Sequence, residues 1–159
     1  MNLEDLLCAD SVLINARASC KKQVLQLLAE KASESCDMTA REIFDVVLQR
    51  EKLGSTGVGK GVAIPHGKFP GLDKIVGVFA QLHDPIDFEA IDDQPVDLVF
   101  LLMAPEQAGA DHLKALSSVA RVLRDKDRLE ALRGAQKASD VHKVLCQRLT
   151  QDVPEADAA

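Results

Sequence analysis

Val96-Asp97-Leu98-Val99-Phe100-Leu101-Leu102-Met103 is an almost uninterrupted hydrophobic run. A strand with one face in water alternates apolar and polar side chains, so a run of this kind predicts a central strand covered on both faces. Upstream, residues 74–82 read as a second strand, carrying Ile75, Val76, Val78, Phe79 and Leu82. The acidic segment between the two, 83–94, reads as a long loop too short and too polar for a helical crossover, so the sheet is expected to be mixed. Downstream, Asp111 is placed to cap a helix with Leu113, Leu116, Val119, Ala120 and Leu123 inward. A short helix near 127–132 follows, then one capped by Ser139 with Val141, Val144 and Leu145 on its face.

Toward the N-terminus, Val12-Leu13-Ile14 reads as a short strand. Ser19 is placed as an N-cap for a helix with the stripe Cys20, Val24, Leu27, Leu28 and Ala32. Thr39 and Glu42 have the spacing of a capping box, in which each side chain satisfies the other residue's free N–H. The helix they open carries Ile43, Phe44, Val47 and Leu48 and ends near Lys52. Residues 54–61 form a loop with four glycines, and Val62-Ala63-Ile64 is a short strand stopped by Pro65, which has no N–H to give a ladder. Helices alternating with strands predict an α/β class: one domain over 1–150, a mixed β-sheet flanked by helices on both faces. Residues 151–159 read as an acidic, alanine-rich disordered tail.

The 159 residues are 47% apolar and 28% charged, enough for a core and an ordinary surface. Nineteen basic against 25 acidic residues give a net charge of −6, without a basic run. Aromatics are 3%, with no Trp or Tyr to stack on bases, so nucleic acid is excluded as a partner. No stretch approaches the roughly 20 apolar residues of a membrane helix, and the acidic start lacks the cationic head of a signal peptide. A cytoplasmic, free-standing domain without membrane insertion is expected. Cys8, Cys20, Cys36 and Cys146 form no C-x-x-C pair and read as small buried apolar residues.

Chemistry concentrates between Arg50 and Lys68. The stretch Gly54 to Lys60 imitates a P-loop, but Gly61 stands where the magnesium-binding Ser or Thr belongs. The loop also follows a helix and opens a strand, the reverse of a P-loop, so nucleotide hydrolysis is set aside. His66 emerges after a strand, where side chains reach the rim of a sheet. An imidazole has an ordinary pKa of about 6.5, so it is mostly neutral near pH 7 and is a nucleophile toward phosphorus. The dianion it would then carry needs donors, and Arg50, the hydroxyls of Ser55 and Thr56 and the glycine-loop N–H groups are the candidates. Pro65 stiffens the backbone before His66, and Gly67 removes a side chain where a docking protein could approach.

Glu51, Val58-Gly59, Val62-Ala63-Ile64-Pro65-His66 and Gly67 fill, without a gap, a pattern of nine constrained positions. That pattern resembles the active-site signature of the fructose/mannitol (type 2) class of enzyme IIA in the bacterial phosphotransferase system. Pro95 to Phe100 resembles the family's central strand and Asp111-His112-Leu113 its second-histidine segment. The likeness spans about residues 3–150 and is nearest to the nitrogen-regulatory branch. It implies that His66 accepts a phosphoryl group through Nε2, that His112 sits beside that group and that Arg50 contributes charge. It implies a phosphorylated histidine carrier protein of the nitrogen branch as donor, docking around Pro65 and Gly67, and regulatory target proteins as the output.

His112 also stands on its own reasoning, since the first turn of a helix offers free N–H groups and positive potential to anions. His83 and His142 read as structural, and four scattered histidines give no metal site; no cofactor is expected. The alternatives are a sugar-specific IIA component passing phosphate to a IIB domain, and an interaction module that keeps the fold without being phosphorylated.

Overall fold

The computed structural model describes residues 3–147; the expected tail at 151–159 lies outside them. Two 3₁₀ turns, Leu3–Asp5 and Ala9–Ser11, lead into β1 (Val12–Ala16). Then follow α1 (Lys21–Ser33), α2 (Ala40–Leu53), β2 (Gly57–Gly59), β3 (Val62–Ala63), β4 (His66–Phe69), β5 (Val76–Ile86) and β6 (Val96–Pro105). The helices α3 (Ala110–Val122), α4 (Lys126–Gly134) and α5 (Ala138–Cys146) close the described chain.

The sheet is mixed, in the order β1-β5-β6-β3-β2, with β4 also on β6. β5 and β6 are antiparallel, β1 is parallel to β5, and β3 and β4 are parallel to β6. The hydrophobic run of β6 is covered on both faces, as its composition predicts. Val99, Leu101 and Met103 pack with α1 and α2 through Val24, Leu28, Ile43 and Val47. Leu98, Phe100 and Leu102 pack with α3, α4 and α5 through Val119, Leu132, Val141 and Leu145.

Several local expectations shift. β5 continues to Ile86 through a register break after Gln81, so the loop before β6 is shorter than the polar composition suggests. The exposed residues His83, Asp84 and Pro85 lie on this irregular extension, beyond the last pairing of β5 with β1 at Leu82. The Thr39–Glu42 capping box is present. Ser19, by contrast, precedes the N-cap Cys20, and its N–H and hydroxyl donate to Gln23 Oε1 at 2.7 and 2.9 Å. Asp111 lies inside α3, whose N-cap is Gly109 at φ 56°, and Ser139 lies inside α5, whose N-cap is Lys137. The buried face of α3 is His112, Ala115, Val119 and Val122, which leaves Leu113 65% exposed rather than inward. The cysteines are corrected too: Cys8 and Cys20 are exposed, Cys36 and Cys146 half-buried. Cys20 falls outside the buried stripe because the helix begins one residue after it.

Pro65 does not end its strand. Val62 and Ala63 face Leu98 and Val99, and His66 and Gly67 face Leu102 and Met103. One offset serves both, so β3 and β4 are a single line of chain along β6, interrupted only at Ile64-Pro65. Val62 and Ile64 belong to the core on the α3–α5 face, Ala63 and Phe69 to the core on the α1–α2 face. Strand alternation then sets His66 and Lys68 on the α3 side.

Candidate active site

The neutral His66 ring has a defined tautomer. Its Nδ1 is 2.8 Å from the Ile64 carbonyl oxygen, which can only accept, so Nδ1 carries the proton and donates. The lone pair is left on Nε2. The ring is half-buried at the interruption between β3 and β4.

His112 lies in the first turn of α3, its ring centroid 5.8 Å from that of His66. It is 8% exposed, and its buried Nε2 has no hydrogen-bond partner among the described residues. A buried polar atom without a partner costs about 1–3 kcal/mol, which an arriving acceptor or donor would relieve. Burial, first, and then the nearby His66 and Lys68 push the His112 pKa below the ordinary histidine value. The neutral ring is therefore favoured.

This has a consequence for stability. The unfolded chain binds a proton at His112 more readily than the folded one, so the stabilisation is complete above the ordinary histidine pKa and is lost as pH falls through the interval below it. Urea midpoints measured from pH 7.5 down to pH 5 should decrease, and His112→Gln should flatten that decrease. A wild-type midpoint that is level over this range, or an unaltered slope in the variant, would contradict the assignment.

The other expected site residues are placed differently. Arg50 sits in the last turn of α2, in the layer opposite α3, and its Nη1 donates to the Gly54 carbonyl at 2.9 Å. No hydrogen bond or ion pair joins it to either ring among the described residues. The hydroxyls of Ser55 and Thr56, expected as phosphoryl ligands, are engaged in building the loop. Ser55 Oγ donates to the Phe88 carbonyl at 2.7 Å and accepts from Gly57 N–H at 3.1 Å. Thr56 is buried, its Oγ1 donating to Glu51 Oε2 at 2.7 Å and its N–H to Glu51 Oε1 at 2.9 Å.

The two residues expected at the docking rim, Pro65 and Gly67, are packed against the protein itself. Pro65 is buried. A Cβ on Gly67 would lie 3.4 Å from Val46 of α2 and from Phe69, so the missing side chain makes room for the protein's own helix. Exposed residues next to the two histidines along the chain include Lys68 and Leu113.

Sequence reasoning left Glu51 without a role, and the structure makes it the fastener of the glycine loop. The carboxylate is buried, receives both Thr56 donors and pairs with Lys21 Nζ at 3.1 Å. A signal was available: an acidic side chain in the last turn of a helix opposes the macrodipole and needs local partners. A second clamp holds the far end of the loop, where Arg133 meets Asp97 at 2.9 Å and the Lys60 carbonyl at 2.6 Å. Between the clamps, β2 and β3 form a hairpin whose turn residues Lys60 and Gly61 have φ of 59° and 79°. Positive φ at both central positions matches a turn whose twist suits paired strands.

The sequence from residue 5 to residue 147 matches the family model for "Phosphoenolpyruvate-dependent sugar phosphotransferase system, EIIA 2". The chain belongs to this family. It is 54% identical over 159 residues to a nitrogen regulatory protein of Bradyrhizobium diazoefficiens, covering all of both chains. Against the nitrogen regulatory protein of Escherichia coli K12 the identity is 38%, covering 98% of this chain and 94% of the other. The crystal structure of nitrogen regulatory protein IIA-Ntr from Neisseria meningitidis superposes with a TM-score of 0.86 at 32% identity, covering 90% of this chain and 98% of that one. The family member is thus a homologue of nitrogen regulatory enzyme IIA proteins, with the α/β fold of that group. No helix among the described residues is long and apolar enough to cross a membrane.

Proposed function

We propose that the protein accepts a phosphoryl group on Nε2 of His66 from a phosphorylated histidine carrier protein of the nitrogen branch, and that target proteins respond to the modified state. The observation that carries this reading is the His66 tautomer: with Nδ1–H committed to the Ile64 carbonyl, the lone pair on Nε2 is available to phosphorus. In the transfer, the Nε2–P bond forms as the P–N bond to the donor imidazole breaks, and the donor ring leaves with the electron pair. His112, neutral and with an unpartnered Nε2 beside the acceptor ring, supplies polar stabilisation to the moving group. The N-terminal turn of α3 adds positive potential.

The output follows from charge. A dianion added beside the exposed Lys68 and Leu113 changes the sign and hydration of the docking rim, so partners distinguish the two states without a change of fold. The protein acts on this reading as a cytoplasmic phosphocarrier rather than as a metabolic enzyme.

The test uses purified carriers of the nitrogen and sugar branches side by side, each phosphorylated, with transfer to this protein followed by radiolabel. Faster labelling by the nitrogen-branch carrier is expected. Preference for the sugar-branch carrier, with onward transfer to a IIB domain, would replace this reading by sugar uptake. Labelling by neither would remove it.

A further inference from the structure

We propose that Lys68 is a further phosphoryl-binding residue, the cation that pairs with the dianion on His66. The inference rests on the phosphoryl acceptor assigned above and adds a residue to its site.

The first support is placement. The register along β6 is unbroken from Val62 to Phe69, so Lys68 follows His66 on the same face of one strand. Residues two apart on a strand are separated by about 6.6 Å, a span that a four-carbon lysine stem can cover. The second support is availability. Lys68 is exposed and its ammonium makes no hydrogen bond or ion pair among the described residues. Arg50, Lys21 and Arg133 around the loop are occupied, by the Gly54 carbonyl, by Glu51 and Glu89, and by Asp97 and the Lys60 carbonyl, while the exposed Lys52 and Lys60 lie outside the strand that carries His66. The third support is electrostatic reach, since the Lys68 charge acts on His112, the ring beside His66.

The surroundings leave this role to Lys68. The groups acting on His112 are His66 and Lys68, both from β4. On α3 itself, Asp111 and Lys114 are exposed, as are Glu4 and Asp5 on the 3₁₀ turn that packs against α3. A free ammonium disfavours a positive charge on the His112 imidazole before transfer and attracts the dianion after it. One side chain thereby favours the neutral His112 ring first and the modified His66 afterwards.

The experiment is made independent of any carrier protein by modifying the chain with phosphoramidate. His66 Nε2 attacks phosphorus, the P–N bond of the reagent breaks, and ammonia departs with a proton from water. Wild type, Lys68→Met, Lys68→Arg and Lys68→Glu are labelled, and the phosphoryl group is titrated by ³¹P NMR. The imidazoles of the unmodified proteins are titrated in parallel by ¹H–¹³C NMR.

Losing the cation in Lys68→Met should raise the proton affinity of the phosphoryl dianion about tenfold. Lys68→Arg should restore it and Lys68→Glu should raise it further, with the differences shrinking in 1 M salt as screening predicts. In the unmodified protein the His112 midpoint should rise in Lys68→Met and return in Lys68→Arg. Superimposable ³¹P titrations across the four proteins would overturn the proposal, as would failure of the reagent to modify His66 in wild type. Reagent labelling without labelling by either carrier would sink the donor assignment alone and leave Lys68 decided by the titration.

Discussion

Replacing His66 by alanine is expected to reduce phosphoryl incorporation from a phosphorylated carrier to background while leaving the fold intact. His83 also has its Nδ1 held by an oxygen, but among the described residues only His66 combines such a ring with a second imidazole beside it, that of His112. His112 Nε2 is buried, His142 Nε2 is 2.9 Å from the Leu7 carbonyl, and His83 is held by Asn15 on the irregular end of β5. The substitution removes one side-chain hydrogen bond, to the Ile64 carbonyl, worth about 0.5–1.5 kcal/mol. Circular dichroism should therefore match wild type and the melting midpoint should fall by only a few degrees, roughly as that energy dictates for a domain of this size. The wild-type label should be acid-labile and alkali-stable, as a phosphoramidate is. Persistent label in the variant, or an acid-stable label in wild type, would move the acceptor elsewhere.

The second large effect concerns stability. Glu51→Ala should destabilise the protein by about 3 kcal/mol, the scale of breaking a buried ion pair from one side. The change strands the Thr56 N–H and the Thr56 hydroxyl and leaves the Lys21 ammonium with only its longer contact to Glu89 at 3.7 Å. Thr56 is buried, so water does not replace what is lost there. Lys21→Met should cost less, because Glu51 then keeps both Thr56 donors and Lys21 also lies over the Phe88 ring. Urea unfolding of the two variants checks the order. Equal midpoints for Glu51→Ala and wild type would show that the glycine loop does not depend on this fastener.

The sequence carries the fold through its two long strands. The run from Val96 to Met103 predicts a doubly covered strand because both alternating faces are apolar, and the two core clusters divide it as expected. The paired capping side chains of Thr39 and Glu42 are equally direct, since the motif is local and its geometry follows from spacing alone. Less legible is anything decided by tertiary contact. The facing of α3 depends on where its first turn begins, and Gly109 starts it earlier than Asp111 would, which turns His112 inward and Leu113 out.

Of the expected site residues, His66 and His112 are the pair that the fold brings side by side, an imidazole beside a proline at a strand and another in a helix's first turn. Ser55, Thr56 and Arg50 are legible only as free donors, and each finds a partner within the fold. Lys68 escapes a reading that stops the strand at Pro65, since the two-residue period then has no strand to run along. The remaining contacts of the loop, from Lys21, Phe88 and Arg133, come from sequence-distant segments and leave no local signature.

The acceptor that fixes the His66 ring is main chain. In many reactive histidines a carboxylate orients the imidazole, and that carboxylate can be titrated or lost by a single codon change. Here the lapse in pairing at Ile64-Pro65 frees a peptide oxygen for the task, and a peptide oxygen neither ionises in the working pH range nor changes with the side chain attached to its residue. Orientation of the His66 ring is thereby insulated from both acidity and point substitution at position 64, and drift in sequence can reach it chiefly through the proline that interrupts the ladder.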